Sequence, residues 1–165
     1  VLFDLTVAIE VGLLIACVLF MKRVMETTEI SVIRDEIDPG SGLDVAVHEE
    51  HLTVPRGVEV YEINGPYFFG IATKFEELMA QLGDRPKVRV IRMRKVPFID
   101  STGIHNLTNL CVMSRREKIE VVLSGVNDTV HATLQRSGFY ELLGPDNICP
   151  NINAALERAR RILGE

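Results

Sequence analysis

The stretch that decides the fold runs from "KVRVIRM" (Lys87 to Met93) into "VPFIDSTGIHNL" (Val96 to Leu107). The first part places apolar residues at Val88, Val90 or Ile91, and Met93, as a strand does. The second part changes period. Ile104, Leu107 and Leu110 or Cys111 recur at helical spacing, with Val112 behind them. Between the two lie Asp100, Ser101, Thr102 and Gly103. Asp and Ser are favoured at a helix start because their oxygens accept unpaired first-turn N–H groups, worth about 1 kcal/mol. Capping accounts for one of these residues. Gly103, lacking a Cβ, lets another backbone or a ligand approach closely.

Working outward, the same strand-to-helix alternation repeats. "VEVYEI" (Val58 to Ile63) alternates apolar with polar residues, as a half-buried strand does, and "NGP" breaks it. Phe75, Leu78, Met79 and Leu82 predict a helix that Gly83 stops. "IEVVLSG" (Ile119 to Gly125) is a short strand. Asn127 can cap a helix carrying Val130 and Leu134, with Gly138 just past its end. A last helix starts near Asn151, with Ile152, Leu156, Ala159 and Leu163 on one side, and "HLTV" before Pro55 suggests an edge strand. Such alternation with short turns means an α/β layer, a central sheet with helices packed against it.

Composition narrows the partners. The net charge of −5 argues against nucleic acid, whose binders present a basic footprint. The charge is uneven: Thr27 to Glu50 holds seven acids against Arg34 alone, and with "DPGSG" it reads as a solvated connector. Arg85 to Lys95 holds six bases and no acid, and reads as the wet face of a strand. Three separated cysteines, Cys17, Cys111 and Cys149, fit unpaired thiols in a reducing compartment. "HEEH" (His48 to His51) has ligand spacing without a third ligand, so neither metal nor cofactor is expected.

The N-terminal segment is of a different kind. From Val1 to Met21 the polar side chains are Asp4, Thr6 and Glu10, and Val11 to Met21 is wholly apolar. Twenty-one helical residues rise about 30 Å, the hydrocarbon thickness of a bilayer. Lys22 and Arg23 follow at once, which predicts a cytoplasmic C-terminal side. Glu10 then lies about 16 Å from that side, near the midplane, with Thr6 one turn away on the same face. A carboxylate so placed faces a bundle interior or polar cavity, so companion helices are expected elsewhere. The first residue is not Met, and the chain reads as a piece of a longer one.

Catalytic readings of the Asp100 turn fail on geometry or spacing. In aspartic proteases Gly follows Asp-Thr or Asp-Ser directly, whereas two residues separate Asp100 from Gly103. Asp100, Ser101 and His105 are too close in sequence to converge as a triad. GxSxG, GxGxxG and GxxxxGK[ST] are absent, so no enzymatic activity is expected. A regulatory hydroxyl fits better. Phosphate on Ser101 or Thr102 would sit at a helix N-terminus, where anions are stabilised, and could make or break docking.

"VPFIDSTGIHNL" followed by "VVLSGVNDTVHATLQRSGFYELLG" resembles the STAS domain shared by SulP-type sulfate transporters and anti-sigma-factor antagonists. "VEVYEINGPYFFGIATKFEELM" resembles its first strand, turn and helix in the transporter branch, and "DLTVAIEVGLLIACVLFMKRV" is similar to the last membrane span of bacterial SulP permeases. The resemblance implies a sheet of four to five strands flanked by helices, on the cytoplasmic side of an anion permease that is commonly dimeric. In the free antagonists a serine of a D-S-S-G turn is phosphorylated; Thr102 stands at that position, with Asp100 and Gly103 matching.

The expected organisation is a transmembrane helix over 1–24, an acidic linker over 25–51 and a cytoplasmic STAS domain over 52–165. The expected role is regulation, assembly and docking in the inner membrane. Asp100 and Gly103, with Asn64, Gly65 and Pro66 of "NGPYFFG", form the docking turn. The expected partners are the membrane domain of the same permease, the lipid bilayer, a second copy in a homodimer and a cytoplasmic regulatory protein. The alternatives are a free-standing anti-sigma-factor antagonist and a nucleotide-binding domain.

Overall fold

The computed structural model of the chain describes residues 2–26, 29–33, 53–67 and 85–164. The helix expected around Phe75 to Leu82 lies outside them, as do "HEEH" and residues 68–70 of the "NGPYFFG" turn. The elements are α1 (Leu2–Glu26), β1 (Glu29–Ile33), β2 (Val58–Asn64), β3 (Val88–Lys95), α2 (Ser101–Arg116), β4 (Glu120–Ser124), α3 (Asp128–Arg136), α4 (Phe139–Leu143), β5 (Ile148–Cys149) and α5 (Ile152–Leu163). A 3₁₀ turn, Pro145–Asn147, precedes β5.

Among the described residues the strands form one five-stranded sheet in the order β1-β2-β3-β4-β5. β2 to β5 run parallel, and β1 closes the β2 edge antiparallel, with Glu29 opposite Asn64 and Ile33 opposite Val60. β1 falls inside the stretch expected as an acidic linker, and it is one of the two edge strands among the described residues. The edge strand expected at "HLTV" is only an isolated bridge at Thr53 among the described residues.

Side-chain alternation sends two core layers to opposite faces. Tyr61, Ile63, Ile91, Met93, Val121 and Leu123 pack with Leu107, Leu110 and Cys111 of α2, Val130 and Leu134 of α3, and Phe139 and Leu143 of α4. Val58, Val60, Val88, Val90, Val122 and Cys149 pack with Ile152, Ala155, Leu156 and Ala159 of α5. The helix starts are those the sequence predicts: Asn127 accepts from the Val130 N–H at 2.9 Å, and Asn151 from the Ala154 N–H at 2.9 Å. Gly138 follows α3 with φ of 75°, the left-handed conformation glycine tolerates.

Coverage on both faces corrects two expectations. β2 is not half-buried: Glu59 is buried and accepts the Tyr61 hydroxyl at 2.6 Å. The basic stretch is not a wet face either. Arg89 and Arg92 of β3 are each only 5% exposed, while Arg94 and Lys95 at the strand end are exposed. Arg89 donates to the Ser114 hydroxyl at 2.6 Å and lies 5.7 Å from the Tyr61 ring centre. Arg92 approaches Glu62 at 3.5 Å on the neighbouring strand. A buried guanidinium without such partners would be prohibitively costly.

α1 is set apart from this core. Its 20-residue stretch from Asp4 to Arg23 is long and apolar enough to cross a membrane, and none of it is buried. Thr6 and Glu10 are exposed on it.

Candidate docking site at the β3–α2 turn

The two turns expected to form the docking surface meet in space. After β3, the Val96 N–H donates to the Met93 carbonyl at 3.0 Å and tucks Val96 into the core. The Val96 carbonyl accepts from the Asn127 side-chain amide at 2.6 Å, so the cap of α3 also holds the turn before α2. From the other turn, the Gly65 N–H donates to the Lys95 carbonyl at 3.3 Å and the Tyr67 N–H to the Phe98 carbonyl at 3.1 Å. Tyr67 and Ile99 form a parallel bridge. Gly65 has φ of 118°, which only glycine adopts without strain.

Asp100 caps α2 as expected. Its carboxylate accepts the Gly103 N–H at 2.6 Å, and its carbonyl accepts the Ile104 N–H at 2.9 Å. Gly103 is buried, and what approaches it is backbone. A Cβ there would strike the Tyr67 carbonyl oxygen and come within 2.8 Å of Ile99 Cγ1 and 2.9 Å of Tyr67 Cδ1. Ser101 and Thr102 are exposed, so their hydroxyls are reachable at the positive end of a sixteen-residue helix. His105 lies 3.1 Å from the Asn109 side-chain amide along α2.

Asn64, Gly65 and Pro66 lie beside the turn and are half-buried. Sequence reasoning did not single out Tyr67, which is fully buried and links the two turns, or Asn127 as a tether. It also passed over Phe98, 48% exposed beside the cap. Its signal was present, an aromatic after Pro97 in a loop rather than at a strand position.

The titratable groups behind the turn are kept neutral. Burial raises Tyr67 above the usual phenol range. Burial also raises Tyr61, and its hydrogen bond to Glu59 adds to that. Burial pushes the Cys111 thiol up to about 12, against the lowering influence of Arg115 and Arg89. Such a thiol packs as an apolar group at neutral pH.

The model of the STAS domain family matches residues 51–155. YvdB of Bacillus subtilis, a protein named for sulfate transport, is 29% identical over 145 residues, covering 87% of this chain and 25% of YvdB. The chain thus spans about a quarter of the length of the curated relatives it matches. A sulfate transporter family protein from Wolinella succinogenes is similar in structure with a TM-score of 0.65 and 39% identity, over 69% of this chain and 93% of that one. The STAS domain of a SulP transporter from Vibrio cholerae gives 0.61 and 34%, over 68% and 88%. An anti-sigma factor antagonist from Thermotoga maritima shares the fold at 18% identity and a TM-score of 0.58, over 66% and 92%.

Proposed function

Because this chain belongs to the STAS domain family, with relatives among the SulP sulfate transporters, we propose that it is the C-terminal part of such a transporter: its last membrane span and its cytoplasmic regulatory domain. The observation that carries this reading is α1. An exposed 20-residue apolar helix is joined, two residues later, to the first strand of the sheet. Water would not tolerate that surface, whereas a bilayer covers it. Glu10 and Thr6 then face companion helices in the membrane domain of the same permease, and Lys22 and Arg23 keep the sheet on the cytoplasmic side.

The domain works by contact and not by chemistry. The Asp100 carboxylate is engaged in capping, His105 turns to Asn109, and the Cys111 thiol is held neutral. A nucleotide site has little support in the topology: β2 to β5 follow in sequence order, without the reversal at which α/β sheets open a ligand crevice. The exposed pair Ser101 and Thr102, on a turn fixed from behind by Tyr67 and Asn127, is a rigid docking feature for a regulatory protein or a second copy.

Two measurements test this. Extraction of membranes with alkaline carbonate leaves the chain in the pellet; release into the supernatant would favour the free-standing antagonist. In a full-length transporter, Thr102→Glu changes sulfate uptake or capture of the regulatory partner while thermal unfolding of the domain is unchanged. Wild-type behaviour in both assays would refute the docking role of the turn.

A further inference from the structure

The strand register fixes which end of the sheet lies beside α1. Glu29, three residues past the end of α1 at Glu26, is opposite Asn64, and Asn64 is in register with Lys95. Three residues span at most about 11 Å, and neighbouring strands lie about 4.8 Å apart. The C-terminal ends of β2 and β3 are therefore the ends of those strands nearer to α1, and their N-terminal ends lie a strand length further off. If Lys22 and Arg23 mark the headgroup level, Glu26 is only about 5 Å along the helix beyond them.

That near edge has the chemistry of a headgroup contact. Arg94 and Lys95 are exposed there, followed by exposed Pro97 and by Phe98. Outside α1, Phe98 and Met113 are the exposed large hydrophobic residues among those described. Met113 lies in the last turn of α2, about 15 Å or more from that helix's start. Among the described residues, Phe98 is thus the exposed large apolar side chain of the near edge. Acids share that edge: Glu62 lies between Arg92 at 3.5 Å and Lys95 at 3.8 Å, and the Asp100 carboxylate accepts the Gly103 N–H. Glu29 and Asp128 are exposed. An isolated exposed aromatic means little on its own. This one stands between two bases and a cap, on the edge that the chain itself tethers to α1.

We propose that this edge rests on the bilayer: Phe98 enters the lipid headgroup region, and Arg94 and Lys95 bind anionic headgroups. The proposal rests on the reading of α1 as a membrane span. An anionic bilayer attracts each such base by a factor of about five, and Phe is among the side chains that bury at the headgroup boundary. The contact fixes the Ser101–Thr102 turn at the membrane surface rather than below the domain.

The chain contains no tryptophan, so Phe98→Trp introduces a single one, which can be excited apart from the three tyrosines. The full chain carrying it is reconstituted into phosphatidylcholine vesicles with and without phosphatidylglycerol, using lipids brominated near the headgroup. Phe20→Trp in α1 and Met113→Trp in α2 serve as references. Phe98→Trp is expected to be quenched, more so with phosphatidylglycerol, and Met113→Trp to be unquenched. Removing Arg94 or Lys95 as alanine weakens the phosphatidylglycerol-dependent part about five-fold each. Quenching of Phe20→Trp without quenching of Phe98→Trp overturns the proposal and leaves α1 as a span. Absence of quenching at Phe20→Trp removes both. Blue-shifted but unquenched emission from Phe98→Trp assigns the edge to a protein surface, and equal quenching at Met113→Trp denies any oriented contact; either result overturns the proposal.

Discussion

Replacing Gly103 with alanine puts the close approach of the two turns to a quantitative test. Gly103 is the third residue of α2, where Gly→Ala ordinarily stabilises a helix by up to about 1 kcal/mol. Here the new methyl meets the Tyr67 carbonyl oxygen, Ile99 Cγ1 at 2.8 Å and Tyr67 Cδ1 at 2.9 Å. None of these can swing aside cheaply. Tyr67 is 1% and Ile99 6% exposed, and both belong to the same bridge. Overpacking a filled site costs about 1–3 kcal/mol, and loosening the Tyr67 N–H to Phe98 bond adds about 1 kcal/mol. Against the helical gain, the net expectation is a loss of about 1–3 kcal/mol. Equilibrium urea unfolding of the full chain in mild detergent, followed by near-ultraviolet circular dichroism of the tyrosines, measures it. A stabilisation of about 1 kcal/mol would mean that the helix start is not pressed against Tyr67.

Two further perturbations act on the same region. Asp100→Ala removes the cap and is expected to cost about 1 kcal/mol, whereas Asp100→Asn keeps an acceptor and loses little; equal losses in the urea midpoint would contradict a capping role. Burial raises Cys111 from 9.0 to about 12, so the folded state holds that proton more tightly than the unfolded one. Its contribution is therefore complete below pH 9 and is lost as pH rises toward 12, at about 1.4 kcal/mol per pH unit. Cys111→Ala lessens the fall above pH 9, to which Cys149 and the buried tyrosines also contribute; an unchanged slope would show that the Cys111 thiol has no part in it.

What could be read from the sequence was what is local. The caps at Asp100, Asn127 and Asn151 satisfy N–H groups within three residues, so their chemistry is written in adjacent letters. The apolar periods of α2 and α5 likewise declare their buried faces. What escaped was set by distant partners. Arg92 looks solvated until Glu62, thirty residues earlier, is placed beside it by the β2–β3 register. Arg89 needs Ser114 from α2 and Tyr61 from β2. β1 is a five-residue strand in an acidic stretch, and only its pairing with β2 identifies it. At the turn, Gly103 signals a close approach, but that the neighbour is Tyr67 follows from the meeting of two loops.

The joint between α1 and β1 also has a mechanical meaning. Only two residues separate the helix from a strand whose ladder to β2 runs crosswise to its length. A pull along the strand loads the whole ladder at once, as shear, instead of opening it one rung at a time. So short a joint leaves little slack to absorb a shift of the helix. Movement of α1 along that axis would be passed through the β1–β2 ladder to the sheet as displacement of the whole domain.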